Sequence, residues 1–113
     1  MLTLDTLKNF GVDADDGLAR CMNNEQFYFR LIKKALEDEN FDKLANAVKA
    51  NDKTEAFEAA HALKGTTGNL SLTPIYKCVS EMTELLRSKA DADYNSYLDN
   101  LFALRKELLL LAD

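Results

Sequence analysis

One amphipathic segment decides the fold of this chain: EAAHALKGTTGNL, residues 58–70. Small and apolar residues within it and just before it recur at spacings of four and three, as on one face of an α-helix. These residues form a predicted core stripe of Ala56, Ala60, Leu63, Thr67 and Leu70. His61, the single histidine, lies about 140° from the centre of that stripe, because each residue advances a helix by about 100°. We therefore predict that this helix buries one face and points His61 towards solvent.

Two glycines, Gly65 and Gly68, follow the histidine on nearly the same exposed line of the predicted helix. Each interior glycine costs a helix roughly 0.5–1 kcal/mol relative to alanine, so the pair requires a reason. We infer that the surface beside the histidine is cleared of side chains so that the backbone of another protein can come close. The predicted docking surface consists of Phe57, Glu58, Ala62, Gly65 and Gly68.

The predicted chemistry of this exposed surface rests on His61 and Lys64. A neutral imidazole is a competent nucleophile near neutral pH. Lys64 lies one turn further along the same side and supplies a mobile cation that can hold the oxygens of an incoming phosphoryl group. No serine, cysteine or acid stands at a spacing that builds a hydrolytic triad with His61, although the fold can bring other residues near. We interpret His61 as a phosphorylation site and Lys64 as the residue that stabilises the phosphoryl group.

The rest of the 113-residue chain also has helical periodicity, without the alternation of a β-strand. Thr73 as a cap and Pro74 at the first helical position predict the start of the helix after the histidine helix. Short joints make neighbouring helices antiparallel. We therefore predict an all-α single domain over residues 1–113, an up-down-up-down four-helix bundle with short N-terminal helices packed across one end. The predicted helices cover approximately residues 4–11, 13–22, 24–36, 41–50, 52–70, 74–87 and 92 onwards.

Composition argues against several other classes of protein. The net charge of −5, from 14 basic and 19 acidic residues, is not that of a nucleic-acid-binding protein, which shows a basic stripe. No apolar run is long enough to span a membrane, and the N-terminus lacks the pattern of a secretory signal. We therefore expect a cytoplasmic monomer. Cys21 and Cys78 are expected to be buried thiols, and no metal site is expected, because zinc ligands would need recognisable spacing.

The motif around the histidine resembles that of a known family. The run HALKG, residues 61–65, followed by Gly68 and Leu72, resembles the signature of histidine-containing phosphotransfer (HPt) domains of bacterial phosphorelays. The segment DDGLARCMNNEQFYFRLIKKALED, residues 15–38, is similar to the entry and first long helix of small bacterial HPt proteins. The resemblance covers essentially the whole chain. One departure is Ser71, where many members have a glycine, and it puts the local geometry at the end of the helix in question.

The resemblance implies a specific function. HPt domains carry phosphate on Nε2 of the histidine, here His61, between aspartates of receiver domains in response regulators and hybrid histidine kinases. By the same resemblance Lys64 assists the phosphoryl group, and Gly65 permits close docking. The family has no kinase activity of its own and no cofactor, since the magnesium belongs to the partner receiver domain. Two alternatives are a phosphate-accepting module of a larger, chemotaxis-type histidine kinase and an inert helical adaptor.

Overall fold

The computed structural model describes residues 1–112, which form seven α-helices joined by short connections. No strand occurs among these residues, so the predicted all-α class is confirmed. The helices are α1 (Leu4–Phe10), α2 (Ala14–Arg20), α3 (Glu25–Leu36), α4 (Asn40–Lys49), α5 (Lys53–Asn69), α6 (Thr73–Arg87) and α7 (Tyr94–Ala112).

Helices α4, α5, α6 and α7 pack against one another in a ring. Each contacts the next along the chain, and α7 also contacts α4. The connections over residues 50–52 and 70–72 are short, which favours an antiparallel arrangement of the helices that they join. Helix α3 packs against α7, where Arg105 donates a hydrogen bond of 2.7 Å to the carbonyl oxygen of Leu36.

Helix α5 buries the face that the sequence pattern predicted. It begins after Asp52, whose carboxylate accepts a hydrogen bond of 3.1 Å from the backbone N–H of Glu55 and so caps the helix. Thr67 is buried, and its hydroxyl donates to the carbonyl oxygen of Leu63 at 2.7 Å, which satisfies its polar group. The core stripe is confirmed, since each of its five members is buried: Ala56, Ala60, Leu63, Thr67 and Leu70.

The predicted starts of α6 and α7 differ from those in the structure for reasons that their hydrogen bonds show. Thr73 does not cap α6 from outside but is its first residue, with Leu72 at the cap position and Pro74 second in the helix. The Thr73 hydroxyl instead donates to the carbonyl oxygen of Ser71 at 3.1 Å and accepts from the backbone N–H of Asp13 at 3.3 Å. The Thr73 hydroxyl, which local propensity predicted to cap α6, therefore bonds to the N-terminal segment instead.

Helix α7 begins at Tyr94 rather than at Ala92. The reason is Asp93, whose carboxylate accepts a hydrogen bond of 3.1 Å from the backbone N–H of Ser96. An aspartate that accepts from the third following N–H acts as an N-cap, so the helix starts just after it.

The segment of α1 and α2 contacts the connection between α5 and α6. The backbone N–H of Asp13 donates to the carbonyl oxygen of Ser71 at 3.2 Å. Tyr28 at the start of α3 is buried and donates its hydroxyl to the carbonyl oxygen of Leu70 at 2.8 Å. A side chain at Gly17 would overlap the Tyr28 hydroxyl, so glycine lets α2 approach this point. Burial raises the pKa of Tyr28, which keeps its hydroxyl protonated as a donor.

Both cysteines are buried and carry free thiols, as predicted. Cys78 points its sulfur towards the carbonyl oxygen of Tyr97, 3.5 Å away. Loss of solvent around the thiol raises the pKa of Cys78, which disfavours the reactive thiolate. Cys78 therefore behaves as a small core residue between α6 and α7.

Candidate functional site

His61 lies in the middle of α5, and its side chain is exposed, as the helical phase predicted. Its imidazole ring stands 5.4 Å, between ring centroids, from the ring of Phe57 one turn earlier, with the two planes 31° apart. Phe57 is half-buried, so it supports one side of the imidazole while the other side faces solvent. This arrangement leaves the histidine accessible to a partner.

Lys64 lies one turn after the histidine and leans towards α6. Its side chain retains 30% exposure, and its Nζ atom is 3.8 Å from Oε1 of Glu84. A pair this long and this open to solvent contributes little to stability, in the range of about 0–1 kcal/mol. The ammonium group is therefore held loosely and is able to move to a stronger anionic partner.

Glu84 and Arg87 on α6 join the site, although the sequence analysis did not select either residue. Oε2 of Glu84 is 3.3 Å from Nε of Arg87, and the Arg87 guanidinium lies 5.0 Å from the centroid of the Phe57 ring. The spacing of Glu84 and Arg87 was visible in the sequence as an i, i+3 pair. Their contacts with Lys64 and Phe57 depend on the register between α5 and α6, which periodicity within one helix does not give.

The two glycines beside the histidine have different surroundings. A Cβ atom at Gly65 would meet no atom within 4 Å, so this part of the surface is open. A Cβ atom at Gly68 would lie 2.9 Å from Cε1 and 3.1 Å from Cδ1 of Tyr76. The expectation that both glycines leave an open surface is therefore wrong for Gly68, which makes room for the Tyr76 ring of α6. A contact of Gly68 with a partner stays a prediction.

An open cleft of about 590 Å³ runs along this side of the molecule. Its lining includes His61, Lys64 and both glycines of α5, together with Arg20 of α2 and Tyr76 of α6. The other predicted docking residues, Phe57, Glu58 and Ala62, lie on α5 outside that lining. Glu58 and Ala62 are exposed. The cleft thus brings the predicted nucleophile and the predicted phosphoryl-stabilising cation together.

The end of α5 shows how Ser71 takes the place of a glycine. Ser71 has φ 56°, in the left-handed region that favours glycine. The backbone N–H of Ser71 donates to the carbonyl oxygen of Gly68 at 3.1 Å. The backbone N–H of Leu72 donates to the carbonyl oxygen of Thr67 at 3.0 Å. These bonds satisfy carbonyl groups at the end of the helix. The turn keeps its backbone geometry with a serine at this position.

Metal ligands and membrane-spanning helices are the features that would indicate other kinds of function. Residues 1–112 contain no group of three or more His, Cys, Asp or Glu side chains placed to hold a metal ion. In the same part of the chain, none of the helices combines the length and the apolar character that a membrane crossing needs.

These features define an all-α module that presents one exposed histidine with a lysine beside it in an open cleft. The family model described as Hpt domain matches residues 32–113, and the chain belongs to that family. Hpt domains are histidine phosphotransfer modules of phosphorelays. They interact with receiver domains of response regulators and kinases, and in general they lack catalytic activity of their own. No curated protein and no solved structure gives a significant match.

Proposed function

We propose that this protein is a phosphorelay intermediate in which His61 accepts a phosphoryl group from a receiver-domain aspartate and passes it to another receiver. The observation that carries the proposal is the position of His61, the single histidine, exposed at the centre of α5 in the cleft that also holds Lys64. Membership of the Hpt family supports the same reaction. The receiver docks over the surface formed by Phe57, Glu58, Ala62, Gly65 and Gly68.

In the proposed transfer, Nε2 of the neutral imidazole attacks the phosphorus atom of an aspartyl phosphate. The N–P bond forms as the P–O bond to the aspartyl carboxyl group breaks, and the carboxylate leaves with the bonding electron pair. The proton on Nδ1 stays on the ring during this step. Attack by the carboxylate of a second receiver reverses the process and returns neutral His61. Magnesium acts on the receiver, so the chain itself needs no cofactor.

Lys64 stabilises the phosphoryl group in this proposal. Its loose 3.8 Å pair with Glu84 gives way when the phosphoryl oxygens, which carry more negative charge, come close to the histidine. The flexible lysine stem and rotatable ammonium donors suit this movement, and a charge-assisted hydrogen bond is stronger than the solvent-exposed ion pair it replaces.

The proposed domain covers residues 1–113, although the family match begins at residue 32. The contacts of Asp13 and Tyr28 with residues 70 and 71 support this extent, because they attach the N-terminal segment to the end of α5. A phosphorelay intermediate of this kind acts as a monomer in the cytoplasm.

The test is transfer from receiver domains of the same genome, each phosphorylated with ³²P-labelled acetyl phosphate and freed of excess reagent. The wild-type protein is expected to gain label that is labile in acid and stable in base, as a phosphohistidine is. The matched control is His61→Gln, which is expected to remain unlabelled. Label on the variant, or acid-stable label on the wild type, would contradict the proposal.

A further inference from the structure

A chain of three polar side chains links the end of α5 to one wall of the cleft. The hydroxyl of Ser71 donates a hydrogen bond to Oδ2 of Asp16, and Nε of Arg20 donates to the same oxygen at 2.8 Å. Arg20 lines the cleft that contains His61 and Lys64. Asp16 therefore holds the guanidinium group of Arg20 on the same side of the molecule as the proposed phosphorylation site.

Ser71 has a conformation that is unfavourable for a serine, since a left-handed φ brings the Cβ atom of a non-glycine residue too close to the backbone. A glycine would make the same turn without that cost. What the serine adds is the hydroxyl that bonds to Asp16. The departure from the family pattern at this position thus has a physical consequence, which is the fixed placement of Asp16 and, through it, of Arg20.

The ionised form of Asp16 is favoured by its two partners. The hydrogen bonds from Ser71 and then from Arg20 lower the pKa of the Asp16 carboxyl group. The carboxylate is thus charged under neutral conditions and accepts from both neighbours at once. A guanidinium group has five N–H donors. Arg20 uses one of them, its Nε–H, in the hydrogen bond to Asp16.

The charge of the cleft contrasts with that of the whole chain. The chain has a net charge of −5, yet the cleft lining carries two basic side chains, Arg20 and Lys64, against one acid, Asp13. Each basic side chain also has one carboxylate partner outside the lining, Asp16 for Arg20 and Glu84 for Lys64. The Arg20 side chain is 55% exposed, so a partner can reach it. A planar guanidinium with several donors suits carboxylate oxygens better than an ammonium does.

We propose that Arg20, positioned by Asp16 and Ser71, is a docking residue that binds carboxylates at the rim of the receiver's phosphorylation site. This inference rests on the proposed function of His61 and names a further contact of the same partner. Arg20 acts on association, whereas His61 and Lys64 act on the phosphoryl group. A surface charge at the edge of an interface mainly changes the association rate and its dependence on salt.

The test compares two phosphoryl donors in low and high salt: a phosphorylated receiver domain and potassium phosphoramidate, a small donor with no protein surface. Arg20→Gln is expected to lower kcat/KM for the receiver about tenfold at low salt through KM, with kcat little changed. The loss shrinks at high salt, where surface charges are screened. Labelling by phosphoramidate stays at the wild-type rate. The matched control is Arg30→Gln, an exposed arginine of α3 that lines a different groove and is expected to have no effect.

A second variant tests the positioning by Ser71. Ser71→Ala removes the hydroxyl and is expected to cause a smaller loss with the receiver, with no additional loss when combined with Arg20→Gln. Wild-type receiver kinetics in Arg20→Gln would overturn the inference, and so would an equal slowing with phosphoramidate. Additive losses in the double variant would overturn the role of Ser71. Failure of the proposed function has a different signature, because the wild type would then take no label from the receiver at either salt concentration, even if phosphoramidate labels the exposed His61.

Discussion

The buried face of α5 consists of alanines, Leu63 and Thr67 with at most 4% exposure, whereas its opposite face carries the exposed His61 and Gly65 and the half-buried Lys64. Small residues on the buried face let α4 and α6 pack closely on α5, and they give the fold its stability. The opposite face contributes little to packing at Gly65, where an added Cβ atom would meet no atom within 4 Å. We therefore expect stability and the proposed phosphotransfer to be separable on one helix, and the following variants test that separation.

The largest expected effect on function comes from His61→Gln. All acid-labile label from potassium phosphoramidate is expected to disappear, because the chain has no other histidine. The free energy of unfolding is expected to change by less than about 0.5 kcal/mol, because the side chain is exposed. Urea denaturation followed by circular dichroism measures the second quantity. A large loss of stability would show that His61 belongs to the structural face after all.

The opposite pattern is expected for Leu63→Ala on the buried face. Leu63 is fully buried, so truncation is expected to lower the free energy of unfolding by about 2–5 kcal/mol through lost burial and a cavity. Under conditions where the variant is folded, labelling by phosphoramidate is expected to match the wild type. Leu63→Met is the volume-matched control and is expected to cost under about 1.5 kcal/mol. Loss of labelling in a folded Leu63→Ala protein would break the separation of the two faces.

Lys64→Ala is expected to slow single-turnover transfer from a phosphorylated receiver about tenfold, which corresponds to about 1.4 kcal/mol in the transition state. Lys64→Arg is expected to recover part of the rate, because the charge is kept while the reach and head-group shape differ. Lys106→Ala, an exposed lysine of α7, serves as the control. Rates equal to the wild type in Lys64→Ala would reduce Lys64 to a surface charge paired with Glu84.

The smallest expected effect comes from Gly65→Ala. A methyl group fits there without contact, and alanine is the better helix former, so stability is expected to rise by about 0.5–1 kcal/mol. Transfer from a receiver is expected to slow by a few-fold if the partner's backbone approaches this position closely. Gly68→Ala is the informative comparison, because its methyl group would press on Tyr76 within the protein. Unchanged transfer in Gly65→Ala would remove Gly65 from the docking surface.

Periodicity within single helices predicted much of the fold. The buried stripe from Ala56 to Leu70 and the exposure of His61 both follow from local spacing, and the structure confirms them. The cap assigned to Thr73 was wrong because its hydroxyl bonds to the segment near Asp13, which is distant in sequence. Local propensity does not include such a competitor.

The parts of the site that sequence reasoning missed all lie between helices. Glu84 beside Lys64 and Tyr76 against Gly68 depend on the register of α6 on α5. The bond from Ser71 to Asp16 depends on where α2 packs. Nothing in the spacing within one helix specifies these contacts, because they are set by how side chains of two helices interdigitate.

The proposed phosphorylation of His61 is tested most directly by identifying the atom that carries the phosphoryl group. Uniform ¹⁵N labelling gives one pair of imidazole ring nitrogens, since His61 is the single histidine, and these can be followed by NMR before and after phosphorylation by a receiver domain. If Nε2 of His61 accepts the phosphoryl group, its resonance is expected to shift and to couple to ³¹P, while Nδ1 remains unphosphorylated. Incorporated phosphate with unchanged ring resonances, or coupling to Nδ1, would contradict it.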